Sequence, residues 1–231
     1  MPFFYNDPTY LLVLAALALS LIAQWMVKSA YKKYEKVPTK RGIPASRVAL
    51  EILQQNGNSI VTVQPIPGTL TDHYDPRSET LSLSEGVYNS SSVAAIGIAA
   101  HEAGHAMQKK DNYAPMALRG LLVPVVNIGS KLSFPLILLG LVMSVEPLVT
   151  FGIVLFSLAV IFSLVTLPVE LNASSRAVRM LTAGGFIDVQ EQAGVKAVLR
   201  AAAFTYVAAA LGAVLQLVRL ILISQSNRRR N

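Results

Sequence analysis

Three histidines occur in this 231-residue chain, and two of them fall in His101-Glu102-Ala103-Gly104-His105. On a helix, residues four apart lie on one face, one turn apart, so two imidazoles spaced this way can hold one zinc ion. Glu102 sits beside them, able to polarise a water on that metal and take its proton. The flanks favour a helix. Asn89 to Ser92 offer capping side chains, and Val93 to Ala100 is an apolar, alanine-rich run without proline. Ala99, Ala100, Ala103, Gly104 and Ala106 are small enough to let a second element approach closely. The chain has no cysteine, which excludes disulfides and any thiolate-bound zinc.

Two other residues are candidates for the same site. His73, in Asp72-His73-Tyr74-Asp75, is the remaining histidine and qualifies as a further ligand or a catalytic transition-state donor. Alternatively, Asp72, Tyr74 and Asp75 form a turn leading into Pro76. Glu170 is the one acid between Glu146 and Asp188 and follows directly on an apolar run. A carboxylate at a membrane boundary must be hydrated, paired or bound to a cation. It is therefore a third zinc ligand, leaving a position open for water, or a helix cap, or a partner of Arg176 or Arg179. Ser174, four residues on, shares its helix face and can support a ligand. Asn172, Asp72, Tyr74 and Arg176 are the remaining candidates for supporting the site or contacting substrate.

These residues need elements to carry them, and the composition says which kind. The chain is 53% hydrophobic and only 14% charged, with its apolar residues in long runs, as expected of an integral membrane protein. The net charge of +7 has its basic residues beside apolar spans, which favours anionic lipid over nucleic acid as the partner. Tyr10 to Val27 predicts a retained anchor. A cleaved signal peptide fits less well, because the preceding segment carries Asp7 and no basic residue. Lys28, Lys32, Lys33, Lys36, Lys40, Arg41 and Arg47 follow, and the positive-inside rule puts them in the cytoplasm. Ala45 to Gln55 predicts a helix entered at Pro44; Ser59 to Gln64 predicts a strand broken by Pro65. Thr80 to Ser84 predicts a short strand, either half-buried or able to bind a peptide substrate by strand addition. Leu121 to Val145 and Leu148 to Leu167 predict a transmembrane hairpin turning at Glu146-Pro147, which would return Glu170 to the face of the histidines. Pro168 predicts the first turn of a new helix. Thr182 to Gly194 predicts a surface loop leading to another short helix, and Ala201 to Ser224 a last apolar segment before Arg228-Arg229-Arg230.

Four stretches together resemble the YugP-type integral-membrane neutral zinc metallopeptidases, which share a layout with the HtpX and CAAX-prenyl class of membrane proteases. They are Asp72 to Pro76, Leu81 to Ser84, Ser92 to Ala95 running into His101 to Ala106, and Thr166 to Ser174. The resemblance implies zinc at His101, His105 and Glu170, with Glu102 as general base. The broader class carries an aspartate four residues after the ligand glutamate, where this chain has Ser174. The expected fold is a mostly α integral membrane protein, with transmembrane helices and a small cytoplasmic α+β zinc-protease unit around the His-Glu-x-x-His helix. Its expected parts are an anchor (1–29), the α+β unit (30–117), the hairpin (118–168), the third-ligand helix and loop (169–200), and an apolar helix with a basic tail (201–231). The expected function is hydrolysis of membrane or membrane-proximal proteins at the cytoplasmic face of the cell membrane. A non-proteolytic zinc scaffold is the alternative. A transporter fits less well, because few ionisable residues lie within the spans and no internal repeat is visible.

Overall fold

The computed structural model describes residues 8–228, so Asp7, Arg229 and Arg230 lie outside the described residues. The first apolar run folds as helix α1, Tyr10–Tyr34. It continues past Val27 because neither proline nor glycine interrupts the lysine-rich stretch that follows, so the span and its first basic residues share one rod. Helix α2, Ala45–Gln55, buries Val48, Ala49, Ile52 and Leu53 at helical spacing.

Three strands follow: β1 (Thr62–Ile66), β2 (His73–Asp75) and β3 (Thr80–Ser84). Their order is β1-β3-β2, with β1 parallel and β2 antiparallel to β3. Pro65 lies inside β1 rather than ending it, as an edge strand permits, since one side of that strand needs no ladder donor. The strand-addition reading of Thr80 to Ser84 is overturned. β3 is central and paired on both sides, and Leu81 to Ser84 are buried throughout.

Helix α3 is short, Glu85–Tyr88, and helix α4 runs Val93–Lys110. Ser92 caps α4, its hydroxyl accepting from the Ala95 amide at 3.2 Å. Three long helices complete the chain: α5 (Ala114–Val142), α6 (Glu146–Ala183) and α7 (Val189–Arg228). Pro168 therefore starts no new helix but lies within α6, and the two polypeptide stretches read as span and third-ligand helix belong to one continuous helix. A proline cue marks a helix start only where the residues before it are not already helical. Asp188 and Glu191 form a reciprocal box at the start of α7, each carboxylate accepting the other's backbone amide at 2.8 Å.

Helices α1, α5, α6 and α7 are each long and apolar enough to cross a membrane. The chain folds as two compact units. One contains the described residues up to Ala23, Leu118–Leu167, and those from Thr205 onward. In it Ile137, Val149 and Leu220 pack together. A Cβ on Gly152 would lie 2.8 Å from the Ser133 carbonyl oxygen, so α5 and α6 meet at backbone distance. Leu121, Val125, Ile128 and Leu132 form an exposed stripe along α5, surface that suits hydrocarbon and not water. Arg219, a charge inside the last apolar run, lies over the Tyr10 ring with its guanidinium carbon 5.0 Å from the centroid.

The other unit comprises Gln24–Ala117 and Pro168–Phe204. Its core joins α2, the sheet, α4 and the polar ends of α6 and α7 around Ile52, Leu53, Leu81, Leu83, Ile96, Leu181 and Phe186. All candidate site residues lie in this unit.

Candidate metal centre

Helix α4 presents His101 and His105 one turn apart, their ring centroids 4.7 Å from each other and their planes at 84°. Helix α6 supplies Glu170, only 2% exposed. Its Oε2 lies 3.2 Å from His101 Nε2 and 3.4 Å from His105 Nε2. One donor atom from each of the three residues lies within 4.8 Å of the others. Zinc bonds of about 2.0–2.1 Å put tetrahedrally arranged donors roughly 3.3 Å apart, so the two measured edges match such a site. The donor set of two imidazoles and one carboxylate fits zinc.

The approach of the two helices depends on a missing side chain. A Cβ added to Gly104 would stand 2.7 Å from the Ala173 carbonyl oxygen on α6, and that backbone cannot move without moving Glu170. Gly104→Ala is therefore expected to weaken zinc retention roughly tenfold or more, read by competition with a chelator, although alanine is the better helix former. Unchanged retention would mean that α6 has slack at this contact.

Behind His105 is a residue that the sequence reading missed. Gln108 is fully buried, and its Nε2 donates to the Val169 carbonyl at 2.8 Å and to Asn172 Oδ1 at 3.0 Å. With both amide hydrogens committed, Oε1 is left to face His105 Nδ1 at 3.0 Å. Nδ1 must then carry hydrogen, which leaves Nε2 directed at Glu170. Asn172 Oδ1 also accepts from Arg176 Nε at 2.8 Å, and Arg176 pairs with Asp111. Asn172 and Arg176 thus support His105 through Gln108. The signal available in sequence was a glutamine three residues after the second motif histidine, on the same helix face.

On the other imidazole, Ser174 Oγ lies 3.2 Å from His101 Nδ1. Glu102 is buried and, among the described residues, has no hydrogen-bond partner. Burial opposes charge on His105, yet the hydrogen bond to Glu170, the nearby Glu102 carboxylate and Gln108 together hold its proton above the ordinary histidine range. The pocket favours positive charge, which is what a cation site requires.

The structure does not bring His73 to this cluster. His73 is exposed on β2 with Nδ1 2.9 Å from the Thr71 carbonyl, outside the group of converging donors. Asp72 instead accepts from the Ser84 amide and hydroxyl, pinning the approach to β2 onto the end of β3. Tyr74 is a core residue whose hydroxyl donates to Glu79 at 3.0 Å; burial and that carboxylate raise its pKa. Lys109 at the end of α4 also pairs with Glu79, tying the sheet to the motif helix.

The profile of a family described as "Putative neutral zinc metallopeptidase" matches residues 9–225. A protein of Bacillus subtilis (strain 168) described as "Putative membrane protease YugP" is 47% identical over 220 residues, which is 95% of this chain and 98% of the relative. No solved structure matches the chain.

Proposed function

The chain belongs to the neutral zinc metallopeptidase family, and from that premise we propose that it is a membrane-embedded zinc endopeptidase. Its substrates would be membrane or membrane-proximal proteins, cleaved at the cytoplasmic face. The observation that carries this is the convergence of His101, His105 and Glu170 within 4.8 Å beside a carboxylate, Glu102, that has no hydrogen-bond partner among the described residues. His101 Nε2, His105 Nε2 and a Glu170 oxygen would hold the zinc. Bound there, zinc supplies a Lewis acid and acidifies water. Glu102 accepts the proton of the attacking water on its carboxylate and returns it to the leaving amine. Gln108 and Ser174 each accept a hydrogen bond from an imidazole Nδ1–H, fixing which nitrogen is offered as ligand. The basic residues from Lys28 to Arg47 support a cytoplasmic location for this unit.

The test is zinc content and cleavage of an unfolded, casein-like substrate by the detergent-purified chain, wild type beside Glu170→Ala. The wild type is expected to hold about one zinc and to cleave, with chelation stopping cleavage and zinc restoring it. Glu170→Ala is expected to lose most of both. Equal zinc in the two proteins would remove Glu170 from the ligand set. Stoichiometric zinc without cleavage of any unfolded or membrane substrate would favour a scaffold role instead.

A further inference from the structure

The polar ends of α6 and α7 enclose an open groove of about 680 Å³ that begins beside Ser174. Arg179, Lys196 and Arg200 line it, and none of its lining residues is acidic. Among the described residues Lys196 bonds only the neutral Gln192, at 3.0 Å, and neither arginine has an ion-pair partner. Three cations sharing one cleft without a counter-charge repel each other, so an anion entering it is favoured. Leu171, Val178, Leu199 and Ala203 form an apolar wall, beside the uncharged Ser174, Ser175, Thr182 and Gln192. A ligand filling this groove therefore has an anionic head and a hydrocarbon body.

The position of the cations along α7 identifies the source of such a ligand. Arg200 and Lys196 precede Phe204 by four and eight residues, about 6 and 12 Å of helix. After Phe204 the helix runs on through its long apolar stretch. That is the depth at which phosphates flank a hydrocarbon core. We propose that this groove is a binding site for one anionic phospholipid, its phosphate held by Arg179, Lys196 and Arg200 and an acyl chain along the apolar wall. A peptide carboxylate would be served by the cations but would leave the apolar wall unfilled. Ser174 belongs both to the groove wall and to the hydrogen bond on His101, so an occupied groove borders the metal centre directly.

Native mass spectrometry of the full chain in a neutral detergent, with phosphatidylglycerol or phosphatidylcholine added, tests this without using peptidase activity. The wild type is expected to retain one phosphatidylglycerol in preference to phosphatidylcholine. The triple variant Arg179→Gln/Lys196→Gln/Arg200→Gln is expected to lose roughly a hundredfold of that affinity, at about fivefold per cation. Lys32→Gln/Lys33→Gln/Lys36→Gln, with the same loss of charge elsewhere, should keep the lipid. Zinc content reports whether the groove variant is folded; if it is not, Arg200→Gln alone, at an exposed position, should still cost about fivefold. Equal phosphatidylglycerol affinity in wild type and groove variants would overturn the proposal. So would displacement of the lipid by millimolar inorganic phosphate, or by an acidic peptide at the same concentration, which would assign the groove to a free anion or to substrate.

Discussion

Replacing Glu102 by glutamine is expected to leave zinc content unchanged and to lower kcat by roughly a thousandfold, within the 10²–10⁴ range for removal of a general base. The substitution is nearly isosteric, and Glu102 has no hydrogen-bond partner that the amide would disturb among the described residues. It removes only the ability to hold a proton. Glu102 does raise the proton affinity of His105, so neutralising it should also let His105 shed its proton at lower pH and, if anything, ease metal binding in acid. Zinc per chain and turnover on an unfolded substrate, measured on the same preparation, decide the matter. Activity at the wild-type level would remove Glu102 from the reaction, and loss of zinc would make it a ligand instead of a base.

The second large effect is expected at a residue that would touch neither metal nor substrate. Gln108→Leu fills the same buried space but leaves the His105 Nδ1–H without its acceptor, while the Val169 carbonyl, which lies inside α6, loses its second donor. The orphaned buried N–H costs about 1–3 kcal/mol of stability. The imidazole also loses the constraint that points Nε2 at Glu170, and zinc affinity should fall roughly 10- to 100-fold. Gln108→Glu separates the two consequences. Its carboxylate can still accept from His105 Nδ1–H, but it cannot donate to Val169 or Asn172. Thermal stability should stay low in that variant while zinc affinity, read by chelator competition, largely recovers. A parallel fall of stability and affinity in both variants would make Gln108 a packing residue only.

What could be read from the sequence was what depends on near neighbours. His101 and His105 need only helical spacing, Ser92 caps the helix three residues away, and Ala45 to Gln55 shows its buried face in its own periodicity. Glu170 could be placed because its isolation from other acids and the count of apolar spans constrain it without any knowledge of packing. Gln108 could not, since its meaning comes from Val169 and Asn172, 61 and 64 residues away. The three-residue strand β2 was hidden for the same reason. Asp72 to Asp75 is as good a turn as a strand until β3 stands beside it. That the peptide between Thr80 and Ser84 is central, and so closed to a substrate strand, follows from the parallel partner β1 and has no signature in Thr80 to Ser84 itself. Pro168 misled in the other direction: a local rule for starting helices yielded to a helix already under way.

The unbroken helix α6 has a consequence for the order in which the protein matures. His101 and His105 leave the ribosome well before Glu170, with α5 and the apolar part of α6 still to be made between them. Until that hairpin has been synthesised and the polar end of α6 has docked on Gly104, the nascent chain holds two of its three converging donors and no complete site. Completion of the three-donor group is thus tied to the last stages of assembly, and on the function proposed above a chain stalled before residue 170 would hold no complete zinc site.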